Sequence, residues 1–147
     1  MNTPEEVSKK TNVIVTILTV VLLAMTAGFV FWLLQGSKAA PSYTFNGSVM
    51  TISGQFGTDI DLAGAAASLE ETPIRDPETR TNGAAIGNIR KGRFQMNGES
   101  VYLNIMDKTA PSYILITAAD GSKYYINCAS LDDSSALYQE ILAHVSQ

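Results

Sequence analysis

The chain has 147 residues, room for one modest domain and an accessory segment. Ten basic against fourteen acidic side chains leave a net charge of −4, which argues against a nucleic-acid binder, because such proteins concentrate Lys and Arg on the face that meets the phosphates. The single cysteine, Cys128, rules out an internal disulfide framework.

Residues 1–11 carry Lys9 and Lys10 and are expected to form a short cytoplasmic tail. Residues 12–35 are expected to form a transmembrane helix, because Val13 to Leu34 reads VIVTILTVVLLAMTAGFVFWLL, with no charge and only Thr16, Thr19 and Thr26 as polar side chains. At about 1.5 Å per residue this run makes a helix of roughly 33 Å, enough to cross a bilayer core of about 30 Å. Phe29, Phe31 and Trp32 fall near its far end, where aromatic rings favour the interface. The small residues Ser37 and Ala39 could suit a signal peptidase, but the apolar run exceeds the roughly 7–15 residues of a signal peptide core and Pro41 follows, so retention is favoured over cleavage. Lys9 and Lys10 before the helix, against Lys38 alone soon after it, put the N-terminus inside and the C-terminal domain outside the cell membrane. Ala24 and Gly28 form a small-x-x-x-small pair, a weak signal for a partner helix.

Residues 36–42 read as a linker and residues 43–147 as a β domain with seven basic and twelve acidic side chains, a net charge of −5. Asn46-Gly47, Asn97-Gly98 and Asp120-Gly121 each separate two β-rich runs, and such pairs predict type I′ hairpin turns, hence an antiparallel meander. Alternation sets Val101, Leu103 and Ile105 against Tyr102 and Asn104, and Tyr124, Ile126 and Cys128 against Tyr125 and Asn127, so one face of each strand is expected to be buried. The stretches QFGTDIDLAG and ASLEET could supply two further strands, although Ala63 to Ala67 could equally be a helical turn. In SLDDSSALYQEILAHV, Leu137, Ile141 and Val145 recur at i, i+4 and i+8 behind a Ser/Asp cluster suited to capping, which predicts an amphipathic helix over the strand layer.

The segments RTNG, GNIRKGRF, YILITAADGSKYYIN and LYQEI together resemble the bacterial pleckstrin-homology-like (PH-like) domain proteins with an N-terminal membrane anchor. The resemblance covers roughly residues 43–145. It implies a mainly β fold, a PH-like antiparallel barrel or two-sheet meander closed by a C-terminal helix. It also implies a non-enzymatic single-pass membrane protein that presents an extracytoplasmic domain for protein-partner binding or membrane-complex assembly. Phosphoinositide binding is not implied, because the first hairpin lacks basic residues and the closing helix lacks tryptophan.

The chemistry-bearing candidates are few. GNIRKGRF approaches a P-loop, yet Arg93 stands where that motif has Lys, Phe94 where it has a hydroxyl, and a strand follows rather than a helix, so neither a nucleotide nor another cofactor is expected. The same region, RTNGAAIGNIRKGRF, reads as a solvated loop with local positive charge. As the one candidate ligand site, Arg80, Asn82, Gly83, Arg90, Lys91 and Arg93 would hold an anionic lipid head group or cell-wall polymer through guanidinium forks and glycine-exposed N–H groups. His144 suits a helix C-terminus, Cys128 a buried apolar position, and Asp59, Asp61, Asp132 and Asp133 suit turns and caps better than a calcium loop; a Cys128–His144 nucleophilic pair is the remote alternative.

Overall fold

A computed structural model describes residues 4–145 of the chain, which divide into two compact units, Met1–Gly36 and Ser37–Gln147. The described residues of the first unit belong to helix α1 (Pro4–Lys38). Helix begins earlier and ends later than the sequence suggests. Pro4 opens it, Glu5 and Glu6 occupy its first turn and Lys38 its last, the arrangement that complements a helix dipole. Its threonines are satisfied locally: Thr11, Thr16, Thr19 and Thr26 each donate to the carbonyl four residues earlier at 2.8–2.9 Å. α1 is long and apolar enough to cross a membrane, and its Val, Ile, Leu and Phe side chains are exposed.

The second unit contains two sheets and a helix. Strands β1 (Tyr43–Asn46), β2 (Val49–Ile52) and β3 (Thr58–Asp61) form an antiparallel sheet in that order. Strands β4 (Ala66–Glu70), β5 (Thr79–Ile86), β6 (Ile89–Met96), β7 (Glu99–Ile105), β8 (Tyr113–Thr117) and β9 (Lys123–Asn127) form a second sheet in the order β4-β8-β9-β7-β6-β5. Helix α2 (Leu131–Val145) packs on β4, β8 and β9. The two sheets do not close into a barrel, and the fold is mixed α and β.

The six-stranded sheet is not a simple meander. β9 inserts between β7 and β8 and runs parallel to β7, with Tyr102 opposite Tyr124 and Ile105 opposite Asn127. Turn residues fix only local pairs; this long-range pair is fixed by burial and by Asn127. The Asn127 side chain accepts from the N–H groups of Met106 and Asp107 at 2.7 and 3.2 Å and donates to the Asp107 carbonyl at 2.8 Å, which ties the start of the crossover to the end of β9.

Both faces of β7 are buried, where one was expected. On one face Tyr102 joins Met50, Ile52, Ile60 and Leu62 of the first sheet, Ile114, Ile116 and Ile126 of the second, and Leu137 and Ile141 of α2. On the other, Val101, Leu103 and Ile105 join Phe94, Met96 and Ile74, with Tyr113 and Tyr125 at the margin. Ile74, from the segment before β5, covers the aliphatic face, while the first sheet and α2 bury the Tyr102 face that alternation alone would leave to solvent.

All three expected hairpins form, but only one is a type I′ turn. Asn97 and Gly98 both take positive φ (52° and 75°), whereas the first hairpin turns on Gly47-Ser48 with Gly47 alone positive, and the third uses a longer loop around Gly121.

Candidate functional site

The glycine-rich segment is not the expected loop. β5 and β6 pair along Arg80 to Phe94, joined by a two-residue turn, Gly87-Asn88, in which Gly87 has φ 55°. A Gly-Asn pair between two runs is itself a hairpin signal, and the scarcity of large apolar residues in TRTNGAAI hides it. β5 is an edge strand and its residues are mostly exposed, so its sequence carries little burial pattern.

Pairing dictates where the candidate ligand residues go. Side chains alternate along β6, so Arg90 faces the opposite way from Lys91's neighbours in register, and Lys91 and Arg93 share the face of Tyr102. Arg80, opposite Phe94, and Arg90 line a shallow cleft with Asp76 and Glu78. There Asp76 answers the positive charge: it lies 3.5 Å from Arg90 Nη2 and 2.9 Å from Lys108 Nζ. The Lys108 hydrogen bond first, and the Arg90 charge after it, hold the Asp76 carboxyl below the usual carboxylate range. Arg90 Nη1 also donates to the carbonyls of Gly87 and Ile89, at 2.7 and 2.9 Å, which clamps the turn.

On the opposite face Lys91 is a buried residue, 3% exposed, whose ammonium donates to the Ala39 carbonyl. Burial pushes its pKa down, and no carboxylate among the described residues pairs with it. Gly83 and Gly92 are directly opposed, and their role is close backbone approach rather than an open N–H cradle: a Cβ on either would lie 2.2–2.3 Å from a carbonyl oxygen across the pair. Asn82 and Arg93 meet apart from Arg80 and Arg90, in a recess of about 130 Å³ which Thr58 and Tyr102 also line. The Tyr102 hydroxyl is buried, donates to the Phe56 carbonyl and is pushed up to about 12 mainly by burial. Phe56 adopts φ 62°, an uncommon conformation for a bulky residue.

A larger cleft, about 370 Å³, lies elsewhere, between α2, the start of the second unit and the end of β9. Sequence reasoning missed it, because its walls come from distant stretches. Ala40, Pro41 and Tyr43 form one side, Met106, Cys128 and Ala129 the floor, and Asp133, Ala136, Leu137 and Glu140 the helix side. The spacing of 3, 4 and 7 residues puts the last four on one face of α2. An N-cap holds that face in place: Ser130 Oγ accepts from the Asp133 N–H at 3.1 Å and donates to Asp133 Oδ2 at 2.7 Å. Ser134 Oγ donates to the Ser130 carbonyl at 3.0 Å and accepts from Cys128 N–H at 2.9 Å, linking β9 to α2.

The polar groups at the floor are not activated for chemistry. Burial is the main cause that pushes the Cys128 thiol up, which keeps it protonated near neutral pH. Burial likewise raises the neighbouring Tyr43 hydroxyl, which finds no hydrogen-bond partner of good geometry. His144 lies against Phe45, ring centroids 4.5 Å apart, with Nδ1 2.9 Å from the Glu140 carbonyl oxygen. Asp59 and Asp61 accept from Thr51, and from Ser48 and Ala63, within their sheet and turn, and among the described residues no group of three His, Cys, Asp or Glu is placed to hold a metal.

No protein-family model, no curated protein and no solved structure matches this chain.

Proposed function

We propose that this chain is a non-enzymatic single-pass membrane protein whose second unit, a PH-like β domain on the outer side of the membrane, binds a protein partner and assembles a membrane complex. The distribution of the basic residues carries this reading over lipid or polymer capture. Arg90 and Lys108 are answered by Asp76, Lys123 is answered by Glu99 and Lys91 is buried, so of the four candidate anion-binding cations only Arg80 and Arg93 stay exposed without an ion pair among the described residues, in a domain of net charge −5. Such a surface is repelled by anionic lipid head groups. It suits a partner selected by shape and by local positive charge.

Crosslinking in native membranes followed by purification tests the proposal: a discrete protein adduct supports it, and lipid alone in the purified material counts against it. An enzyme reporter fused after Gln147 tests the orientation, with activity expected only for a fusion displayed outside.

The second reading, an anionic lipid head group or cell-wall polymer held by the β5–β6 hairpin, rests on the recess in which Asn82 and Arg93 converge. Arg80→Gln and Arg93→Gln, both at exposed positions, separate the two readings. Loss of salt-sensitive binding to vesicles or wall polymer would favour the second, and an unchanged protein adduct the first.

A further inference from the structure

We infer that the cleft beside α2 receives a lysine or arginine side chain of the protein partner, with the aliphatic stem on its apolar floor past Asp133 and the charged head at Glu140. This rests on the protein-partner reading and specifies what that partner must bring. The cleft's composition divides along its length. Met106, Cys128 and Leu137 give it an apolar base, whereas both ionisable groups on the helix side are carboxylates, and no basic residue lines it. A side chain that is apolar along its stem and cationic at its tip matches both parts.

Geometry favours a long side chain over a compact ion. Asp133 and Glu140 are seven residues apart on α2, roughly 10 Å along the axis, so they flank the cleft rather than converge on one point. Asp133 is held by its capping bonds to Ser130 and is preorganised. The Glu140 carboxylate has no hydrogen bond or ion pair among the described residues, which leaves it available to a guest. Ala136, exposed between them, provides the width; a larger residue there would fill the space. The volume, about 370 Å³, lies within the range of clefts that take up small ligands, roughly 300–1,000 Å³.

The test uses the full chain in lipid nanodiscs with ¹³C-methyl methionine, reading Met106 in the cleft against Met50 and Met96 in the two cores. n-Butylammonium and n-butylguanidinium should shift the Met106 methyl saturably, and n-butanol and butyrate should not. Glu140→Gln should weaken the cations about five-fold, and Ala136→Phe should remove the response. Unchanged Met50 and Met96 signals establish that either variant is folded. Equal responses to all four probes, or no effect of Glu140→Gln, would overturn the assignment. Crosslinking in native membranes distinguishes the two levels of the argument. A partner captured equally by wild type and by both variants overturns the cleft while leaving the partner reading in place; a partner lost only from the variants supports both. No captured protein, despite a charge-selective Met106 response, removes the partner reading and with it the protein occupant.

Discussion

Gly92→Ala offers a quantitative check on the β5–β6 pairing. A Cβ there would lie 2.3 Å from the Asn82 carbonyl oxygen and 2.6 Å from Gly83 Cα. Ordinary carbon–oxygen contact begins near 3.3 Å, so β5 would have to retreat by about 1 Å. A shift of that size takes the flanking ladder bonds out of good geometry, at about 1 kcal/mol each. Gly92 also has φ 105°, outside the regions open to L-residues, which adds about 1–3 kcal/mol. The expected loss is about 3 kcal/mol or more, a fall in melting temperature of roughly 10–20 °C. Gly87→Ala is the internal control: φ is 55° but nothing lies within 4 Å of the added carbon, so only about 1 kcal/mol should go. Thermal unfolding of the full chain in detergent, followed by tyrosine near-ultraviolet circular dichroism, reads both. If Gly92→Ala costs no more than Gly87→Ala, the argument for a close-packed hairpin fails.

Other perturbations address separate parts of the domain. Lys91→Met removes a buried charge and should leave stability at pH 7 unchanged or raised by up to about 1 kcal/mol. Because burial lowers the folded-state pKa of Lys91, its cost is fully present below that pKa and fades as pH rises toward 10.5, so the difference between variant and wild type in urea unfolding should shrink between pH 7 and pH 10. Tyr102 shifts in the opposite sense: its folded pKa is raised to about 12, so its contribution is complete below pH 10 and is lost as pH rises through 12, an alkaline loss of roughly 2–3 kcal/mol that Tyr102→Phe should abolish. Ser130→Ala deletes the N-cap of α2 and should cost about 1 kcal/mol; hydrogen exchange should speed first at the N–H groups of the helix's opening turn.

The elements with strong local signals could be read from the sequence. The apolar run of α1, the hairpins around Gly47, Gly98 and Gly121, and the period of α2 all depend on neighbours in the chain, and each is present. The two uncertain stretches became β3 and β4. The barrel, the meander order and the glycine-rich loop were misjudged for a common reason: each depends on partners distant in sequence. Nothing local says that β9 will insert beside β7, or that Ile74 will cover Val101 and Leu103. Charge is equally blind to register. RKGR reads as one basic cluster, but strand alternation sends Arg90 to Asp76 and buries Lys91, leaving Arg93 with Asn82. The α2 cleft left no compact signature because its walls span residues from Ala40 to Glu140.

The decisive question is whether the second unit holds another protein in the membrane. A photo-crosslinker at Ala136, activated in native membranes and analysed by mass, addresses this directly. A discrete protein adduct, with the linked peptide carrying Lys or Arg beside the crosslink, is the expected result; adducts confined to lipid, or none from correctly displayed protein, would contradict it.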